Sequence, residues 1–408
     1  MQNYFLITIV LIASVLPSKA LAGGFLVYNQ DATANSLGLA YAAQVASPAA
    51  VLYNPAAINQ LEGTQCSFNT TIITYSSDFH SSQTGKKTKQ DDHVFILPSF
   101  FATKKLNEKW SVGIGTFTYY GLTTDWPNDW EGRYISTYSQ LRSFFMNSVA
   151  SYQLTQKLSI AAGINGIYTD VLQRKNINIK PLPDGRVRFR GDDIGWGVNL
   201  ALLYHFTEKM NFALTYRSKV SLNYVGNVKF QVPKFLKSLV PEGGASIDID
   251  LPALLTGGVC YTFNDKWTIE FDVIWTDWSV YDELDLKYDK KIPKIMAAST
   301  APIIRDYHDT WSYCFGISYR ATNALVLRTG YLFDPGAVPE ENIDPVLPDS
   351  DKNIFGFGIN YKKGPLTIDV SDYLSFYKGR NVRNNRDGLN GRYESSVNII
   401  AFNISYLF

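Results

Sequence analysis

The 408-residue chain carries 38 Lys+Arg against 37 Asp+Glu, a balance that excludes the broad basic surface nucleic acid requires. Trp, Tyr and Phe number 8, 26 and 24, far too many for a disordered chain. Cys66, Cys260 and Cys314 follow no metal-like spacing and read as small wall residues, with a Cys260–Cys314 bridge left open.

Tyr4 to Leu16 is a short apolar run followed by Pro17-Ser18-Lys19 and the small-residue site Ala20-Leu21-Ala22, so residues 1–22 read as a secretory signal cleaved before Gly23. The run is shorter than the roughly 20 residues a spanning helix needs. It also lacks the usual basic start. Residues 23–63 do not alternate and are rich in Ala, Gly, Ser and Asn. Phe25, Leu26, Leu37, Leu39, Val51, Leu52 and Ile58 within them require burial, and Pro55 fixes a turn or helix start. A compact N-terminal plug explains that composition.

From residue 64 to 408 short and long connections alternate. Short polar turns are expected at 104–108, 155–157, 207–209, 264–266, 321–324 and 362–365. Between them run period-two segments. Trp267, Ile269, Phe271, Val273 and Trp275 alternate with Thr268, Glu270, Asp272 and Ile274, and Leu366, Ile368 and Val370 alternate with Thr367, Asp369 and Ser371. Leu158–Tyr168, Phe212–Arg217 and Phe355–Tyr361 show the same alternation. The apolar set is expected toward lipid and the polar set toward a lumen. Six short turns and seven long connections join about 14 strands into an all-β, antiparallel transmembrane barrel, which needs no membrane helix because closure satisfies every backbone group. Gly113 and Gly115 alternate within Trp110–Gly121, and glycine inside a strand marks a kink, a bulge or a close approach. Aromatics at Tyr119, Tyr120, Trp126, Trp130, Trp275, Trp278, Tyr313, Tyr319, Tyr373 and Tyr377 are expected to form interfacial girdles. Val232–Pro241, in a long loop, gathers Phe235, Leu236, Leu239 and Val240 on one side of a short helix and Lys234 and Lys237 on the other. The last strand places Ile400, Phe402, Ile404, Tyr406 and Phe408 on one face, as a closing barrel strand requires.

Several segments then fall into a known order. Gly38-Leu39-Ala40-Tyr41, Asn54-Pro55-Ala56, Asp129-Trp130-Glu131-Gly132-Arg133-Tyr134, Trp275-Thr276-Asp277-Trp278-Ser279, Asp309-Thr310-Trp311, Gly330-Tyr331 with Pro339-Glu340, and Leu347-Pro348-Asp349-Ser350-Asp351 are together specific. The mature chain resembles the FadL/TodX (OMPP1) family of outer-membrane transporters of long-chain fatty acids and other hydrophobic compounds. The resemblance implies a fourteen-stranded barrel plugged by an N-terminal hatch carrying Asn54, Pro55 and Ala56. It also implies capture in an outer apolar groove, passage to a lumenal pocket, and lateral release into the membrane at the strand of Gly113 and Gly115. Phe235, Leu236, Leu239 and Val240 are the groove candidates.

Arg305, His308, Arg174 and Lys175 are candidates for a ligand carboxylate, with His308 standing where family members often have a basic residue. The expected partners are a long-chain fatty acid or another hydrophobic small molecule such as an aromatic hydrocarbon, outer-membrane lipid, and the barrel assembly machinery. The expected location is the Gram-negative outer membrane, as a monomer without nucleic acid, cofactor or metal. An enzyme is not expected. His80, His93, His205 and His308 stand near no nucleophile motif, and no His-Glu-x-x-His is present. A general porin would lack the hatch-like segment, and an adhesin barrel would present a larger exported domain.

Overall fold

The computed structural model describes residues 24–290 and 302–408; the expected signal segment lies outside them. The alternating segments pair with their chain neighbours as a closed antiparallel barrel of 14 strands. The first five are β1 (Thr64–Ser81), β2 (His93–Lys105), β3 (Trp110–Phe117, resuming at Gly121–Asp125), β4 (Tyr138–Thr155) and β5 (Leu158–Ile177). Then come β6 (Gly185–Thr207), β7 (Met210–Arg217 and Val220–Gln231), β8 (Gly243–Leu251 and Leu254–Phe263) and β9 (Trp267–Thr276). The ring is completed by β10 (Thr310–Arg320), β11 (Leu325–Asp334), β12 (Lys352–Lys363), β13 (Leu366–Tyr377) and β14 (Gly391–Leu407). Closure is made by β1 against β14, in register from Gln65↔Leu407 to Ser81↔Gly391. All six short turns fall where the sequence places them, between the paired strands.

The pleat sorts the side chains. Phe402 and Ile404 on β14 are exposed, while Ala401, Asn403 and Ser405, which alternate with them, are buried. On β9 Trp267 and Phe271 face out, whereas Glu270 and Asp272 face in. Water would reject so apolar an exterior, and lipid accepts it.

The aromatic girdle needs correction. Trp126, Trp130, Tyr119, Tyr120, Trp278 and Tyr373 are buried inside, and Trp126 stacks on Trp130 at 4.5 Å beneath the long loops. Their pleat parity or loop position turns them inward, which spacing along the chain does not reveal. Exposed rings do collect at the short-turn rim, where Trp110 meets Tyr152 at 4.7 Å and Trp267 meets Tyr319 at 4.3 Å. The three cysteines are free.

Residues 24–61 lie against the inward faces of strands around the ring. They form α1 (Ala32–Ser36), α2 (Ala50–Tyr53) and a 3₁₀ turn (Pro55–Gln60). Asp31 caps α1, its Oδ1 accepting from the amides of Thr33 at 2.9 Å and Ala34 at 3.1 Å. Asn54 caps the 3₁₀ turn through Ala56 N–H at 3.1 Å and donates to Ala42 O at 2.8 Å. Elements this short are not stable alone, so their stability comes from the wall they touch. Two wall glycines make that contact possible: a Cβ at Gly330 or Gly356 would overlap the backbone of Leu37 or Asn35.

Candidate functional site

The ladder between β2 and β3 stops at Phe100↔Thr116. Beyond it, Gly121–Asp125 pairs with β4 alone, and Val94–Ser99 of β2 pairs with β1 alone. A gap therefore opens in the wall beside the break at residues 118–120. Asp91 N–H to Asp125 O, at 2.9 Å, ties its outer end.

Buried backbone groups at such a break need partners, and those partners identify what occupies it. Tyr119 O accepts from Val27 N–H at 2.8 Å, and Gly121 N–H donates to Phe25 O at 2.8 Å. The N-terminal segment thus adds a one-bridge strand, Leu26↔Tyr120, to the broken edge. Ser143 Oγ accepts from Tyr120 N–H at 3.0 Å and donates to Tyr120 O at 2.6 Å. Gln30 spans both sides. Its O accepts from Ser99 Oγ of β2 at 2.8 Å, and its Oε1 accepts from Thr118 N–H at 3.3 Å.

Gly113 and Gly115 are not the break. Both lie in the regular part of β3, paired to Thr103 and Phe101 on one side and to Val149 and Asn147 on the other. They serve the close approach of the N-terminal segment: a Cβ at Gly113 would stand 2.6 Å from Val51 Cγ2, and one at Gly115 3.1 Å from Val51 Cγ1 and 2.7 Å from Phe101 Cδ1 of the neighbouring strand. Asn54, Pro55 and Ala56 are buried in the same packed region.

Acidic side chains of the wall hold the rest of the segment. Asp272 Oδ2 accepts from the amides of Tyr41 at 2.9 Å and Ala42 at 3.0 Å, and Glu270 Oε1 accepts from Ala43 N–H at 2.6 Å. Asp369 accepts from Thr33 Oγ1 at 3.0 Å and from Arg328 at 2.9 Å. Asn403 of β14 donates to Asp31 Oδ2 at 3.3 Å.

Several cavities lie along the lumen among the described residues. An apolar one of about 30 Å³ under the long loops is lined by Phe25, Leu122, Leu141, Phe189 and Tyr281. A second, of about 50 Å³, lies where Tyr28, Leu52 and Tyr53 meet Tyr119 and Arg217. The third, of about 420 Å³, is polar and faces the short-turn end, with Tyr41, Gln44, Arg320, Arg328 and Lys362 in its lining. The first two are far smaller than the roughly 300 Å³ a drug-sized ligand occupies. This arrangement is closed.

The sequence-derived groove residues form a 3₁₀ turn, Lys234–Leu239, rather than an amphipathic α-helix. Phe235 and Leu239 are exposed, Leu236 and Val240 half-buried. Lys237 donates to Glu242 at 2.8 Å. The carboxylate candidates are dispersed. Arg305 is buried and already paired with Asp344, 5.9 Å from the Tyr281 ring, which spends its charge on joining outer loops. His308 is exposed, Arg174 lies 4.6 Å over the Tyr138 ring, and Lys175 is half-buried at the end of β5. Gln30, Ser143, Glu270, Asp272 and Arg217 were not singled out from sequence for these contacts. Period two marks Glu270 and Asp272 as lumenal, but only the fold shows which amides they meet.

A closed barrel with an apolar exterior, a filled lumen and an unpaired stretch of wall defines a class: outer-membrane transport barrels. The chain matches the family described as outer membrane protein transport protein (OMPP1/FadL/TodX) over residues 13–408 and belongs to it. It is 25% identical to a 47 kDa outer membrane protein of Pasteurella multocida, covering 93% of both chains. It is 22% identical to a long-chain fatty acid transport protein of Salmonella typhi, covering 97% of this chain and 96% of that one. The fold is similar to the crystal structure of a Pseudomonas aeruginosa FadL homologue, with TM-score 0.85, 18% identity and coverage of 94% and 100%. It is also similar to the P. putida toluene transporter TodX, with TM-score 0.71, 19% identity and coverage of 94% and 98%. The protein is thus a multi-pass outer-membrane transporter of hydrophobic compounds.

Proposed function

We propose that this protein takes up long-chain fatty acids. The ligand is captured at the outer loops, where Phe235 and Leu239 offer exposed apolar surface, and passes to the lumenal cavities. It leaves sideways through the β2–β3 gap, while residues 23–63 act as the plug that closes the lumen. The gap carries the proposal, because the plug itself supplies the hydrogen bonds that fill it. With the closed cavities so small, passage requires the plug to shift. A transport reaction of this kind needs no catalytic residue and no cofactor. Uptake of aromatic hydrocarbons by the same route is the second reading, favoured by the rings of Phe25, Phe189 and Tyr281 around the outer cavity.

The facing pair Leu26↔Tyr120 provides the test. Antiparallel partners stand about 4.5–5.5 Å apart at Cα, within disulfide reach. Oxidised Leu26→Cys/Tyr120→Cys protein is expected to lose uptake of labelled fatty acid and to recover it on reduction, with the single variants unaffected by oxidant. Full uptake by the cross-linked protein would reject release through this gap. Uptake of toluene but not fatty acid by the unmodified protein would favour the second reading.

A further inference from the structure

The outward face of β6 changes character part-way along the strand. Ile194, Trp196, Val198 and Leu200 are exposed and apolar, and Arg186, Arg188 and Arg190 continue the same face toward the long-connection end, the outer side of such barrels. Register between β5 and β6 runs unbroken from Leu158↔Tyr204 to Ile177↔Gly185, so period two holds across the change. Val225 of β7, opposite Asp192, is also exposed and marks the same apolar edge. A strand advances about 3.4 Å per residue and tilts by about 40° in such walls, which sets Arg190 about 10 Å above Ile194. Long basic side chains there reach the headgroup layer.

The adjoining strands widen this patch. Arg188 stands directly opposite Arg174 of β5 on one side and Lys229 of β7 on the other, and all five basic residues are exposed. Like charges directly opposite one another weaken a strand pair, so a row of three across adjacent strands carries a cost. The acids nearby do not offset it. Asp184 is engaged by Arg133 at 2.7 Å, Asp170 by Arg142 at 2.8 Å and Glu242 by Lys237 at 2.8 Å. None of the five bases forms an ion pair among the described residues, and Asp192 at the lower edge sets one acid against them. Arg174 rests on the Tyr138 ring at 4.6 Å, which steadies one side of the patch.

We propose that Arg174, Arg186, Arg188, Arg190 and Lys229 bind the phosphates of the phosphorylated glycolipid that forms the outer leaflet, with its acyl chains lying along Ile194, Trp196 and Val225. Guanidinium forks match phosphate oxygens, and the apolar strip directly beneath them matches the chains. A free phosphate has no use for that strip. The lipid thus supplies the counter-charge that the chain omits, on the outside of the wall, and the inference is independent of what the barrel carries.

Binding of bisphosphorylated lipid A to the purified barrel in detergent, counted by native mass spectrometry, tests this against lipid A stripped of its phosphates. The wild type is expected to prefer the phosphorylated form by about tenfold or more. Arg174→Gln/Arg188→Gln/Lys229→Gln is expected to weaken that binding about a hundredfold, since each basic residue near an anionic lipid surface contributes about a factor of five. Binding of the stripped lipid is expected to stay the same. Lys104→Gln/Lys109→Gln/Lys157→Gln removes as much charge from the short-turn rim and is expected to change neither. Equal affinity of the wild type for the two lipids would overturn the inference without recourse to any variant. Equal loss in the two triple variants would reduce the effect to net charge and overturn it. Displacement of lipid A by millimolar inorganic phosphate would make the face a free-anion site, and retention on heparin without lipid A binding would give it to a soluble polyanion; either result overturns the proposal.

Discussion

At the scale of the residue, the wall presents carboxylate acceptors to amides of the N-terminal segment. Asp272 takes two of them and Glu270 a third. Removing one acceptor strands buried donors, at about 1–3 kcal/mol for each group. Asp272→Ala is therefore expected to loosen the Tyr41–Ala43 stretch while leaving the barrel assembled. Single-channel recording in planar bilayers should show raised conductance or more frequent openings; traces matching the wild type would reject the anchor. The carboxylate candidates show how a residue type misleads when its partner is remote. Arg305 and Asp344 are 39 residues apart in the chain and joined in the structure, so no local pattern shows that the charge of Arg305 is already spent.

At the scale of the element, the strands were the most legible part of the molecule. Lipid on one side and a polar lumen on the other impose period two, and each short turn resets it. Hence the turns at 321–324 and 362–365 are readable from sequence alone. The interruption of β3 was not. Glycines at 113 and 115 suggest a kink, yet the chain departs from the ladder at Thr118–Tyr120, where the controlling partners are Val27, Gln30 and Ser143 from distant segments. Inward parity makes the glycines contact points for α2 instead. The double change Gly113→Val and Gly115→Val is thus expected to displace Val51 and the plug, with an overpacking cost of about 1–3 kcal/mol at each site. Higher conductance with near-normal surface abundance is the expected result. Abolished fatty-acid uptake at unchanged conductance would instead return these positions to the exit path.

At the scale of the whole molecule, charge balance and an apolar belt suit a body embedded in lipid, with polar groups gathered in the lumen and at the rims. The rim of short turns carries the exposed rings, and Phe408 is its most exposed member at 73%. It packs edge-on against Tyr406 at 4.8 Å, and its N–H bonds Thr64 O at 2.9 Å across the seam. Deleting Phe408 is expected to lower the heat-modifiable, folded fraction in outer membranes, through loss of that seam contact. A normal folded fraction would show the residue to be dispensable.

The pairing of β1 with β14 also orders events in time. The wall cannot be sealed until β14 has been made, so the ring closes late, through contacts of the greatest sequence separation among the described strands. Asn403 lies on β14 and reaches Asp31 in the N-terminal segment. The same step that seals the wall therefore completes one of the N-terminal segment's contacts with it. Until β14 docks, the barrel is open along its side and, on the proposed plug, less firmly stoppered, so a defect in docking is expected to appear as a leak before it appears as a loss of strand content.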